Sequence, residues 1–301
     1  MRAIVTGGAG FIGSHVADAL LARGDEVHVV DDLSRGTPDN IPDKAELHLA
    51  DIREPLDALF AKLEPEAVYH LAAQIDVRVS VADPVADATT NVLGTINVLK
   101  AAMPHSARVV FTSTGGAIYG ECEEPAPESS PRLPLSPYGT SKLAAEEYLA
   151  TWNRLYGTSH VALRLGNVYG PRQDPHGEAG VVAIFLQKLV DDDAVTIFGD
   201  GSQTRDYVFA PDVARAMLAA EGANGGVFNV GTGSETSVVA LWEACCAAAG
   251  VTTSADNAPP RLGEIQRSVL DPSAAARELG WSPSVSLHDG LVATWEWMTG
   301  A

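Results

Sequence analysis

Basic residues are scarce in this chain of 301 residues: 20 Lys and Arg stand against 39 Asp and Glu, a formal net charge of −19. A nucleic acid would be repelled over most of such a surface, which excludes it as a partner. Cysteine is scarcer still. Cys122 and the adjacent Cys245 and Cys246 make neither a disulfide framework nor a Cys-x-x-Cys pair, and an odd count fits a reducing cytoplasm. No apolar run approaches the roughly 18 residues that a bilayer span needs. The opening run, Ala3-Ile4-Val5, is too brief before its glycines for a secretory signal. The histidines include no His-x-x-x-His or His-Glu-x-x-His, so no metal site is legible in their spacing. With 46% hydrophobic and 20% charged residues, a disordered or fibrous chain is excluded, leaving a cytoplasmic globular protein of one or two domains.

What the chain does have is alternation. Runs rich in Val and Ile predict strands at Arg2–Thr6, Glu26–Val30, Ala67–Leu71, Arg108–Thr112 and His160–Leu165. Helices are predicted between them at Ile12–Arg23, Thr90–Met103 and Tyr138–Tyr156. Strands spaced by helices imply βαβ units, and so an α/β fold with a doubly wound parallel sheet of Rossmann type. After Leu165 the pattern loosens. A Gly/Pro-containing stretch precedes a helix at Val181–Val190 and a strand at Ala194–Phe198, and prolines and glycines return at Asn257–Gly263. Residues 1–166 therefore read as the Rossmann domain, and residues 167–301 as a smaller mixed α/β domain. The chain is expected to return to the first domain around residues 205–235. The prolines at 125, 127, 131, 134 and 137 mark a loop.

Thr6-Gly7-Gly8-Ala9-Gly10-Phe11-Ile12-Gly13 joins the first strand to the first helix. Glycines 8, 10 and 13 fit G-x-G-x-x-G, and 7, 10 and 13 fit its G-x-x-G-x-x-G variant. Glycine admits positive φ and lets the backbone approach a pyrophosphate, which the helix N-terminus then stabilises. Asp31 ends the next strand 18 residues past Gly13, close to the position where an acid takes the ribose hydroxyls. A carboxylate there repels a 2′-phosphate, so NAD is expected in place of NADP.

Tyr138 and Lys142 open the long helix four residues apart, on one face and about one turn from each other. A phenol of pKa near 10 is a poor base at neutral pH; an adjacent ammonium and a cationic nicotinamide would stabilise its phenolate. A hydroxyl partner is expected from Thr112-Ser113-Thr114, at the carboxyl end of a parallel strand where ligands of such sheets bind.

Together, the glycine turn, Asp31, Thr112-Ser113-Thr114 and Tyr138-x3-Lys142 resemble the extended short-chain dehydrogenase/reductases. More closely, the chain resembles their NAD-dependent nucleotide-sugar epimerases of the UDP-glucose 4-epimerase type. Further matching segments are Asp51-Ile52-Arg53, His70–Gln74, Asn91-Val92-x-Gly94-Thr95, Asn167–Gln173, Arg205–Val208 and Pro260-Arg261-x-Gly263-Glu264. The resemblance implies a tightly held NAD and interconversion of UDP-galactose and UDP-glucose through a transient 4-keto sugar. It implies NAD contacts at Gly7, Gly10, Phe11, Ile12, Asp31, Asp32, Ser34, Arg35, Asp51 and Ile52. Leu71, Ala72, Ala73, Gln74, Asn91, Thr112, Ser113, Tyr138 and Lys142 would complete that set. Tyr138 would be the base, with Thr114 as the catalytic hydroxyl and Ser113 in reserve. Counting back from Tyr119 instead lands on Gly115, which carries no hydroxyl. Asn167, Val181, Val182, Arg205, Arg261 and Glu264 would line the nucleotide-sugar site together with Thr114 and Tyr138. Such proteins usually pair as homodimers through the helices near Thr90–Met103 and Tyr138–Tyr156.

Arg172, Arg205 and Arg261 lie in irregular segments where guanidinium groups could grip a diphosphate. Gly115 and Gly116 leave no acid pair for a 4,6-dehydratase. Asp174 would repel the carboxylate of UDP-glucuronate, which favours a neutral hexose, while Ser268 is small enough to admit an N-acetylated sugar. An NAD-binding scaffold without catalysis is the alternative of another class.

Overall fold

A computed structural model describes residues 1–176, 180–260 and 265–300. The strands are β1 (Arg2–Thr6), β2 (Glu26–Asp31), β3 (Glu46–Leu49), β4 (Ala67–His70), β5 (Arg108–Thr114), β6 (Val161–Leu165) and β7 (Asn167–Tyr169). There follow β8 (Thr196–Phe198), β9 (Thr204–Arg205), β10 (Tyr207–Phe209), β11 (Gly226–Val230), β12 (Thr236–Ser237), β13 (Asp256–Ala258) and β14 (Arg267–Ser268). Seven of them make one parallel sheet in the order β11-β6-β5-β4-β1-β2-β3. Strand order reverses between β1 and β4, and a crevice at their carboxyl ends is where such sheets take ligands. β1, β4 and β6 are buried almost throughout, as a sheet covered on both faces requires, and so their sequences run apolar instead of alternating.

Two apolar layers sandwich this sheet. Helix α1 (Phe11–Arg23) covers one face with α9 (Ala210–Ala219), burying Val16, Leu20, Val213 and Met217. On the other face lie α2 (Asp57–Leu63), α5 (Gly94–Ala102) and α7 (Pro137–Tyr156), whose Phe60, Val98, Leu99 and Leu149 pack on Val68 and Val109. Short helices α3 (Val77–Ala82), α4 (Pro84–Ala88) and α6 (Gly115–Ile118) flank the sheet's carboxyl edge. A separate core gathers Phe185 and Leu186 of α8 (Val181–Val190), Leu241 and Trp242 of α10 (Val238–Ala249) and Leu291 of α11 (Leu287–Thr299). Small ribbons β7–β10, β8–β13 and β12–β9–β14 connect it to the sheet. Late in the chain, α9 packs beside α1 and β11 pairs with β6.

The helix expected at Thr90–Met103 is interrupted. Thr89–Leu93 widens into a π-turn before α5 begins at Gly94. The side chain of Asn91 is drawn inward to Gln74, Asp87 and Ser141, and a Cβ at Gly94 would stand 2.7 Å from Ile52 Cδ1. Such a bulge often marks a functional position. The three cysteines are free, and among the described residues no helix is long and apolar enough to cross a membrane.

Candidate active site

The turn after β1 is shaped by crowding. Gly7 has φ +72°, and a Cβ there would meet the Ala72 backbone nitrogen at 2.6 Å; one on Gly13 would stand 2.1 Å from the Gly7 carbonyl. Gly10 precedes α1 with no side chain capping it, which leaves the N–H groups of the first turn, at Phe11 and Ile12, to an anion. At the end of β2, Asp31 accepts from the backbone N–H of Ala9 (3.0 Å) and of Leu33 (2.9 Å). Burial raises its pKa while these bonds lower it, and each oxygen keeps a second lone pair for a hydroxyl. These features fit a dinucleotide: a tight turn, open helix donors and an acid fastened to the same loop. Asp32 and Ser34 bond to each other beside it, and Arg35 is exposed.

Other positions expected around the cofactor divide. Leu71, Ala72, Ala73 and Gln74 run half-buried past the end of β4, with Leu71 and Ala72 both donating to the Thr6 carbonyl. Asp51 is held by Arg53, which depresses its pKa, and Ile52 is buried in the core under Gly94. His70 ties this edge together. Thr95 donates to the Asn91 carbonyl, so His70 Nε2–H donates to Thr95 and Nδ1 accepts from Thr6. Desolvation, with the Lys142 charge adding to it, holds His70 down to about 3, a neutral imidazole.

Helix α7 is started where the chemistry needs it. Ser136 accepts from Gly139 N at 3.1 Å, and Pro137 occupies the first turn, so Tyr138 and Lys142 emerge in the first two turns. Lys142 is buried; its ammonium donates to the Thr112 carbonyl at 2.9 Å and sits 4.7 Å from the centre of the Phe111 ring. Burial lowers it to about 8, opposed by the charges of Asp87 and Glu146. Thr114, at the end of β5, lies near the Tyr138 hydroxyl. Desolvation and the nearby Asp87 charge push that phenol up to about 12, and the Thr114 side chain works against them.

The two candidate hydroxyls are thus separated by geometry. Thr114 meets Tyr138, whereas Ser113 donates to Glu146, inside a buried ion pair of Glu146 with Arg164. The Arg164 guanidinium also donates to Tyr119 Oη at 2.7 Å, so the pair braces β5, β6 and α7 behind the site. Gly115 faces Leu270, and the short helix α6 fills the space before Tyr119.

Two carboxylates here escaped the sequence reading. Asp87 is fully buried; its Oδ1 accepts from Gln74 Nε2 (2.9 Å) and Asn91 Nδ2 (3.1 Å). Its Oδ2 is buried without a hydrogen-bond partner among the described residues. Spacing held a clue to both, since Asp87 lies four before Asn91 and Glu146 four after Lys142, on shared helix faces.

In the smaller region, β7 pairs with β10, placing Asn167 opposite Tyr207, and Asn167 Oδ1 lies 3.8 Å from where a Cβ on Gly116 would stand. That brings Asn167 to the turn after Thr114. Arg205 lies opposite Ser268 across β9 and β14. Val181 is half-buried, but Val182 turns into the second core, because the helical pattern of α8 aims it inward. Arg172 forms an ion pair with Asp18 of α1, 154 residues away in sequence. Arg261 and Glu264 lie outside the described residues.

This arrangement has close counterparts. A UDP-glucose 4-epimerase of Mycolicibacterium smegmatis is 48% identical over 306 residues, spanning 98% of this chain and 98% of its own. The crystal structure of the Thermotoga maritima UDP-glucose 4-epimerase with UDP-glucose superposes with a TM-score of 0.97 at 44% identity, over 100% of this chain and 99% of that one. That of the Thermus thermophilus UDP-glucose 4-epimerase in complex with NAD gives 0.94 at 45% identity, over the full length of both. The family model that matches residues 3–231 spans the glycine turn, the strand-end hydroxyls and the Tyr–Lys helix together, so the chain belongs to the NAD dependent epimerase/dehydratase family.

Proposed function

We propose that the chain is a UDP-glucose 4-epimerase that interconverts UDP-galactose and UDP-glucose with a tightly held NAD. The observation that carries this reading is the placement of Tyr138 near the strand-end Thr114 and one helical turn from the buried Lys142 ammonium, at the carboxyl edge of the sheet. Gly7, Gly10, Asp31 and Lys142 would hold the dinucleotide, and Asn167, Arg205, Arg261 and Glu264 the nucleotide sugar. The chemistry that NAD supplies when bound is reversible hydride acceptance, by which the sugar passes through a 4-keto form and returns with C4 inverted.

In this reading Tyr138 takes the proton of the C4 hydroxyl, and Thr114 donates to the same oxygen region to hold the sugar in line. The Lys142 charge offsets part of the cost of making the phenolate in so dry a site. Asp87 raises the proton affinity of Tyr138 and Lys142 alike, which makes the Tyr138 phenolate a stronger base toward the C4 hydroxyl and keeps the Lys142 amine charged beside it. We place the protein in the cytoplasm as a homodimer, supported by the exposed Leu93 of the π-turn and Tyr148, Leu155 and Tyr156 of α7. Residues 1–166, joined by β11, would serve the cofactor, and the rest of the chain the sugar.

The test is incubation of purified protein with UDP-galactose and no added nucleotide. UDP-glucose should form catalytically, with NAD released on denaturation; net consumption of added NADH would instead indicate a reductase. A parallel panel with UDP-N-acetylglucosamine and UDP-glucuronate, read by NMR, ranks the substrates.

A further inference from the structure

Across the edge pair β2 and β3, three ligand groups come together: His28 from β2, and Glu46 and His48 from β3, 18 and 20 residues further along the chain. His28 on β2 pairs in register with Glu46 on β3, and His48 follows two residues on, so all three project from one face. His28 Nδ1 lies 3.1 Å from His48 Nε2; the Glu46 carboxylate reaches within 3.6 Å of the first and 3.7 Å of the second. Glu26, also on this face, accepts from His28 Nε2 at 3.2 Å. That bond places the His28 proton on Nε2 and leaves the Nδ1 lone pair aimed at His48. We propose that His28 Nδ1, His48 Nε2 and Glu46 form a binding site for a divalent transition-metal cation of the zinc class, with water as a fourth ligand, that fastens the edge strand β3 to β2.

The geometry suits that ion. Ligands about 2.0–2.1 Å from a tetrahedral zinc stand roughly 3.3 Å from one another, and the three observed separations bracket this value. Two imidazoles and a carboxylate are the donor set such an ion takes. The Glu26–His28 bond is the outer contact that commonly orients a metal-bound imidazole. Both rings are largely sheltered, with side-chain exposures of 7% and 11%, while Glu46 at 59% gives the ion a path from solvent.

Tag-free, chelator-treated full-length protein would be titrated with CoCl2, followed by displacement with ZnCl2. One equivalent should give the intense visible absorption of four-coordinate Co2+, bleached by Zn2+, and Zn2+ should raise the melting temperature. Glu46→Gln and His48→Gln should weaken Co2+ binding by at least tenfold, and Glu26→Gln by about 10–100-fold through the outer contact. Turnover of UDP-galactose should be unchanged in all three variants, since none touches the crevice. Absence of a stoichiometric four-coordinate spectrum, or its full retention in His48→Gln, would overturn the proposal. Glu46 is largely exposed, so Glu46→Gln tests the site even if His48→Gln folds poorly.

Discussion

Replacing Tyr138 by Phe removes one oxygen and keeps the ring. In the structure that oxygen lies near Thr114 and burial holds it at a pKa of about 12, so at pH 8 only about one phenol in 10^4 is ionised, at a cost of roughly 5 kcal/mol. Lys142, at about 8, is half charged at that pH and offsets part of the cost. A positioned acid–base group contributes about 10^2–10^4 in rate, which is about 3–5 kcal/mol of barrier. Tyr138→Phe should therefore lower kcat for UDP-galactose by that factor. Folding should suffer little: one neutral hydrogen bond is worth about 1 kcal/mol, and the variant no longer buries a hydroxyl beside Asp87. The assay measures UDP-glucose formation, bound NAD by release on denaturation, and the melting temperature. A variant that retains NAD and melts normally yet keeps kcat within tenfold of the parent would refute the assignment of Tyr138 as base.

Three more expectations follow from the surroundings of that phenol. Glu146→Leu leaves the Arg164 guanidinium buried without its carboxylate and should cost about 3–5 kcal/mol in urea unfolding, whereas the double change with Arg164→Met should recover most of the loss; a single variant as stable as the double contradicts this. Lys142 sits at about 8 when folded against 10.5 when unfolded, so between these values the unfolded chain binds more protons. Its contribution to stability therefore rises with pH across that window, by roughly 3 kcal/mol at most, and Lys142→Met should lack that rise in unfolding curves at pH 7, 8.5 and 10. Equal slopes in the two proteins would count against the burial of the ammonium. Finally, Gly13→Ala places a Cβ against the Gly7 carbonyl, a backbone contact that nothing flexible can relieve, and should abolish NAD retention on purification. Nucleotide content equal to the parent's would show that the turn is looser than described.

The sheet and the Tyr–Lys helix were legible because their signals are local. Buried parallel strands announce themselves as Val- and Ile-rich runs, and Tyr138 with Lys142 needs only a helical spacing of four. What a single sequence does not show is a partner that lies far along the chain. Arg172 in isolation is a cation in a loop; only the fold delivers Asp18 to it. Asp87 resembles any surface carboxylate until the π-turn at Asn91 folds it inward. Strand β3 is four residues of mixed polarity, Glu46-Leu47-His48-Leu49, too short for a periodic signal, and the imidazole of His48 gains meaning only across the strand gap from His28.

The pairing of β11 with β6 sets a limit on dissection of this molecule. A fragment ending after residue 166 would keep the glycine turn, the hydroxyl and the Tyr–Lys pair, yet would present the full edge of β6 to neighbouring molecules, an invitation to intermolecular strand pairing. It would also strip α9 from the face of α1. The first 166 residues are thus not a separable cassette: excision experiments or domain grafts would need to carry the stretch through Val230, crossing β7–β10 and α8 on the way.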